Sequence, residues 1–140
     1  MEITHQADYA LRAILYLARL GPSQRVPTSQ IAEEAQIPPS FLTKIVSQLS
    51  IAGLIHTSRG ARGGVWLARS PEEISLLDVL EAIDGSVMLN HCVEDPGSCT
   101  MSESCLLHFF WQDTCNTLVN RLRGTNFAQL AKTPQSSASI

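Results

Sequence analysis

One short stretch restricts the fold more than any other: Arg59-Gly60-Ala61-Arg62-Gly63-Gly64. It lies between two runs of strand character, Leu54 to Ser58 and Val65 to Ala68. The spacing predicts a β-hairpin whose glycines supply the turn. Three helical segments precede it. Thr4 is placed to cap a first helix that runs to about Leu20 and stops at Gly21-Pro22. Ala7, Leu11, Ile14, Leu15 and Ala18 recur three and four apart along it. Tyr9, Ala10 and Leu17 widen its apolar surface beyond one stripe, which points to cover on more than one side and hints at a subunit contact. Thr28 is expected to cap a second helix, Ser29 to about Ala35. Pro38-Pro39 opens a third, in which Leu42, Ile45, Val46 and Leu49 form one inward face before Gly53 ends it.

The second half begins with another cap. Ser75 should cap a fourth helix reaching Asp84, with Asp78 at the reach-back position of a capping box and Gly85 as the stop. Residues 86–101 read as a loop. Ser102 is expected to start a long helix to about Arg123, closed by Gly124. Asn126 to Lys132 form a last turn, and the Ser-rich 133–140 is expected to be a disordered tail. The predicted fold is mainly α with a small β-hairpin: a winged helix-turn-helix plus a long C-terminal dimerisation helix. Its divisions are 1–70 for the winged module, 71–101 for a linking helix and cysteine loop, and 102–132 for the dimerisation helix.

Charge separates the halves. Residues 1–70 hold seven Lys/Arg and four Asp/Glu, whereas 71–140 hold three and nine. A basic first half suits nucleic-acid phosphates although the whole chain is at −3. The third helix presents Ser40, Thr43, Lys44, Ser47 and Gln48 outward, groups able to reach base edges in a major groove. Arg59 and Arg62, with Gly60, Gly63 and Gly64 permitting close approach, can enter a minor groove or clamp the backbone. The alternative for the helix residues is an ordinary solvated face. No apolar run is long enough for a membrane span, and the N-terminus lacks secretory order, so a cytoplasmic protein is expected.

Cys92, Cys99, Cys105 and His108 crowd together, with six, five and two residues in the intervals. In a reducing compartment such thiols are metal ligands more often than disulfides. Three thiolates and an imidazole can hold an iron–sulfur cluster, and they equally make a complete structural zinc set. Cys115, one heptad past His108, reads as a small core residue. Trp66 and Trp111 read as packing residues. No Cys-x-x-Cys, phosphate loop or nucleophile–base pair is present, so an enzyme is not expected.

These residues resemble the Rrf-type family of winged-helix iron–sulfur transcriptional regulators, with its IscR-, NsrR- and RirA-like branches. The likeness rests on Asp8-Tyr9-Ala10-Leu11-Arg12, Ile37 to Leu42, Gly53-Leu54-Ile55, the wing glycines, Ile74 to Val79 and the three cysteines. It implies a homodimer on operator DNA, the long helix crossing to the partner, and a cluster on Cys92, Cys99 and Cys105 that senses redox state, nitric oxide or iron–sulfur status, most simply as a repressor. IscR-like members complete a 2Fe–2S centre with a histidine three residues after the last cysteine, which His108 matches. NsrR-like members use a first-helix aspartate of the other subunit on a 4Fe–4S centre, which Asp8 matches. The likeness favours His108 and 2Fe–2S. The competing functions are a zinc-stabilised or cluster-free DNA-binding protein with no sensing role, and a winged-helix protein-interaction module.

Overall fold

Helix α1 (His5–Leu20) is the element against which four other helices pack. The computed structural model describes residues 2–21, 23–101 and 103–134, and at His91 and Cys92 the backbone alone. Thr4 caps α1 as expected, its Oγ1 accepting from the Ala7 amide at 3.1 Å. The same hydroxyl donates to Asp84 Oδ1 at 2.7 Å, which ties the start of α1 to the end of α4 (Leu76–Asp84). Ala7, Ala10, Ala13, Ile14 and Leu17 are all buried. Their cover comes from within the chain: α1 meets α3 (Pro39–Ile51), α4 and α7 (Phe127–Lys132), and the second wing strand. The broad apolar surface of α1 therefore has intramolecular partners.

Helix α2 (Thr28–Glu34) starts one residue earlier than its sequence suggests. Pro27 occupies the capping position, and its carbonyl accepts from the amides of Gln30 and Ile31 at 3.0 and 3.2 Å. Thr28 is thus the first helical residue and not the cap. Helix α3 buries Leu42, Ile45 and Leu49, the predicted inward face, with Val46 at its half-buried margin. Strands β1 (Ile55–Ser58) and β2 (Gly64–Leu67) pair antiparallel, from Ile55 opposite Leu67 to Ser58 opposite Gly64. Val26 adds a bridge to Val65 through two backbone hydrogen bonds of 2.9 and 2.8 Å. This extra pairing lies outside the sequence-based expectation because a single bridging residue leaves no alternating pattern to read.

After a 3-10 turn at Pro71–Glu73, α4 begins with the predicted capping box: Ser75 Oγ accepts from the Asp78 amide, and Asp78 Oδ2 accepts from the Ser75 amide. The segment expected to be a plain loop contains a short helix, α5 (His91–Glu94), and a 3-10 turn at Pro96–Ser98. The long helix α6 spans Leu106–Arg123, so it starts later than predicted. Cys105 is its cap, with extended backbone at φ −81° and ψ 119°, and this interrupts any earlier winding. Ser102, the predicted start, lies outside the described residues, as do Pro22 and residues 135–140 of the expected tail.

The chain then returns to its beginning. Leu76 donates to the Thr125 carbonyl at 2.9 Å and Phe127 donates to the Ile74 carbonyl at 3.1 Å. Asn126 caps α7 with a second capping box, reciprocated by Gln129. Phe127 is 1% exposed and belongs to the same core as Ile14, Ile45, Leu54 and Val65. Among the described residues no helix is long and apolar enough to cross a membrane. Truncation of a fully buried phenylalanine costs about 3–5 kcal/mol. Phe127→Ala is therefore expected to lower unfolding free energy by that amount in chemical denaturation, and a loss below about 1 kcal/mol would show α7 to be a mere appendage.

Candidate functional site

A cleft of about 750 Å³ separates α3 from the wing. Thr43, Ser47, Arg59, Gly60, Gly63 and Gly64 line it, so six of the ten predicted DNA-facing residues share one concave surface. Ser40, Lys44 and Arg62 are exposed but outside that lining. Gln48 departs from the expected outward face. It is half-buried, and its Oε1 is buried without a hydrogen-bond partner among the described residues. It sits one turn after Ile45, at the edge of the inward face. Ser50 and Ile51 also line the cleft and escaped the sequence reading. Ile51, at the end of α3, is 85% exposed, and an isolated exposed isoleucine gives no signal in the sequence.

The wing tip is built by its glycines. The Gly63 amide donates to the Gly60 carbonyl at 3.0 Å, and Gly60 has φ +100°. A Cβ on Gly63 would lie 2.2 Å from the Ser58 carbonyl oxygen. This turn holds Ala61 and Arg62 at its centre, with Arg59 leading into it. The sheet's outer face carries Arg25 over Trp66, a contact that sequence reasoning missed because the two are forty-one positions apart.

The cysteine segment connects α4 to α6. Asp95 Oδ1 accepts from the Gly97 amide at 3.2 Å, a local turn that precedes an exposed Cys99. Cys105 is half-buried at the cap of α6. His108, in the first turn, is only 7% exposed, and its Nδ1 is buried with no hydrogen-bond partner among the described residues. An orphaned imidazole nitrogen three residues after a cysteine has the donor chemistry of a metal ligand. The Cys92 side chain lies outside the described part of the molecule, and among the described residues no three His, Cys, Asp or Glu side chains converge. Cys115 is buried, and its thiol donates to the Val87 carbonyl at 3.2 Å, which fits a packing role. Asp8, the alternative ligand, pairs with Arg12 at 2.7 Å across one helical turn.

Comparison with known proteins identifies the family and the fold. The family model Rrf2, described as an iron-dependent transcriptional regulator, matches residues 3–133. The chain belongs to the Rrf2 family of helix-turn-helix transcriptional regulators. It is 32% identical over 130 residues to the regulator IscR of Cronobacter sakazakii, covering 93% of this chain and 80% of that one. Among solved structures it resembles CymR, the global cysteine regulator of B. subtilis, with TM-score 0.78 and 24% identity over 94% of this chain and 96% of that one. It also resembles the IscR of T. potens, with TM-score 0.74 and 22% identity over 96% and 93% of the two chains. These last two likenesses establish the fold: winged and mostly helical, with a two-stranded hairpin. The relatives are regulators and not enzymes.

Gly63→Ala is expected to cost about 1–3 kcal/mol in chemical denaturation, because backbone must shift to admit the methyl group. Gly97→Ala, whose Cβ would come no closer than 3.4 Å to a flexible side chain, serves as the near-neutral control. His108→Leu is expected to cost less than about 1 kcal/mol in metal-free protein, since it removes an unsatisfied buried group. A loss above about 2 kcal/mol would mean that Nδ1 has a partner.

Proposed function

We propose that this regulator binds operator DNA as a homodimer, acts in the cytoplasm, and is governed by an iron–sulfur cluster held by Cys92, Cys99, Cys105 and His108. The observation that carries this reading is the buried, unpartnered Nδ1 of His108 in the first turn of the helix that Cys105 caps. A 2Fe–2S centre is favoured over a 4Fe–4S centre completed by Asp8, whose carboxylate is already engaged by Arg12. When bound, such a group supplies a redox-responsive, thiolate-held tie between the cysteine loop and α6.

The chain's own residues account for the remaining steps. Thr43 donates its hydroxyl proton to the Pro39 carbonyl at 3.3 Å, which leaves the oxygen free to accept from a base edge or a bridging water. Ser40, Lys44 and Ser47 extend that polar face, while Arg59 and Arg62 supply phosphate or minor-groove contacts. Leu106, Leu107, Phe109 and Phe110 are all more than half exposed at the start of α6. That apolar surface supports subunit contact along α6. Winged modules paired through α6 sit at a fixed separation, so a small change in their relative angle alters the fit to paired half-sites. The divisions 1–70, 71–101 and 102–132 then act as reader, sensor and dimer helix, although Phe127 stands in the reader's own core.

Anaerobic isolation followed by iron, sulfide and zinc analysis tests the cofactor. Duplex binding by as-isolated and metal-stripped protein tests the control. Iron with stoichiometric sulfide, and a difference in operator affinity between the two forms, are expected. Zinc without sulfide, or equal affinity of both forms for every duplex, would sink the sensing role in favour of a zinc-stabilised or cluster-free DNA-binding protein. Arg59→Ala is expected to lower the slope of log affinity against log salt by about one charge.

A further inference from the structure

The outer face of the wing carries a row of side chains, Arg25, Trp66 and His56, that touch one another. Val26 and Val65 form the isolated bridge, and both side chains are buried in the core. Side chains alternate along extended backbone, so the adjacent Arg25 and Trp66 stand on the opposite face. The Arg25 guanidinium carbon lies 4.2 Å from the centroid of the Trp66 ring. The same group donates from Nη1 to the Arg62 carbonyl at 3.4 Å. His56, the register partner of Trp66, completes the row, with ring centroids 5.7 Å apart. One guanidinium thus links the bridging segment, the indole of β2 and a peptide at the centre of the Gly60–Gly63 turn.

We infer that Arg25 is a positioning residue for the wing. Acting through Trp66 and the Arg62 carbonyl, it fixes the attitude of the hairpin tip and the direction in which Arg59 and Arg62 meet duplex DNA. The inference rests on the DNA-binding reading given above. Glycines at 60, 63 and 64 leave the tip with wide backbone freedom. Two strands of four residues each are a weak restraint by themselves. A lateral brace is what this geometry adds. The planar guanidinium lies against the indole face and still directs a donor to the carbonyl, whereas a lysine ammonium of equal charge has no plane with which to do both.

Arg25→Lys and Arg25→Ala separate a brace from a charge. The first measurement is hydrogen exchange of the Gly63 amide in the free protein. The second is affinity, and its salt dependence, for a duplex selected from a random pool by the wild-type protein. Both variants are expected to speed exchange at least about fivefold and to weaken binding by a similar factor, with the wild-type salt slope retained. Full affinity in the lysine variant, with a slope lower by about one in the alanine variant, would overturn the inference and make Arg25 a direct phosphate contact. Unchanged exchange in both variants would overturn it as well. Should the wild-type protein select no duplex, the DNA-binding reading fails and takes the aiming role with it, and exchange alone then decides whether the brace exists.

Discussion

The close approach of helices to the small-residue face of α1 is the contact on which the rest of the molecule depends. Ala7, Ala10 and Ala13 recur every three residues and are at most 3% exposed. Side chains of one carbon let neighbouring backbones come near, and Ala10 and Ala13 share one buried core with larger residues of the neighbouring helices, among them Ile45, Val79 and Phe127. Helices α3, α4 and α7 all meet this one helix. Helices α3, α4 and α7 are therefore held by a common post, and none can rotate far without opening a void beside it.

That shared post joins parts of the chain with different chemistry. The Thr4–Asp84 hydrogen bond pins the end of α4 to the start of α1. From there the chain runs through Val87, whose carbonyl receives the Cys115 thiol of α6. Helix α6 packs on α4, and α4 on α3. A continuous path of packed helices thus runs from the cysteine segment to the cleft beside the wing. The segment between Asp84 and Cys105 is thus joined to that cleft through packed helices.

Local rules made much of the fold legible. The Thr4 cap, the Ser75–Asp78 box, the inward stripe of α3 and the glycine hairpin each draw their signal from residues within a few positions of one another. Long-range pairing hid the rest. Nothing near Val26 announces its bridge to Val65, and nothing near Thr125 announces its return to Leu76. Helix α6 begins at Leu106 because Cys105 is extended, a backbone fact that composition does not encode. Gln48 looked like a reader because its side chain is polar, whereas burial depends on its exact angle around α3. The spacing of Cys99, Cys105 and His108 marks them in the sequence as candidate ligands, whereas the isolation of the His108 nitrogen is visible only in three dimensions.

The docking of Phe127 has a consequence for how the protein comes into being. An aromatic ring from α7 completes a core otherwise supplied by residues before position 80. The winged module therefore completes its apolar interior only with a ring that lies more than forty residues further along the chain than Val79. Contacts of such sequence separation form slowly, because the chain between them must first be brought to order. Until α7 docks, that unfinished interior stays open to solvent, and this is the form of the chain most exposed to chaperones and proteases.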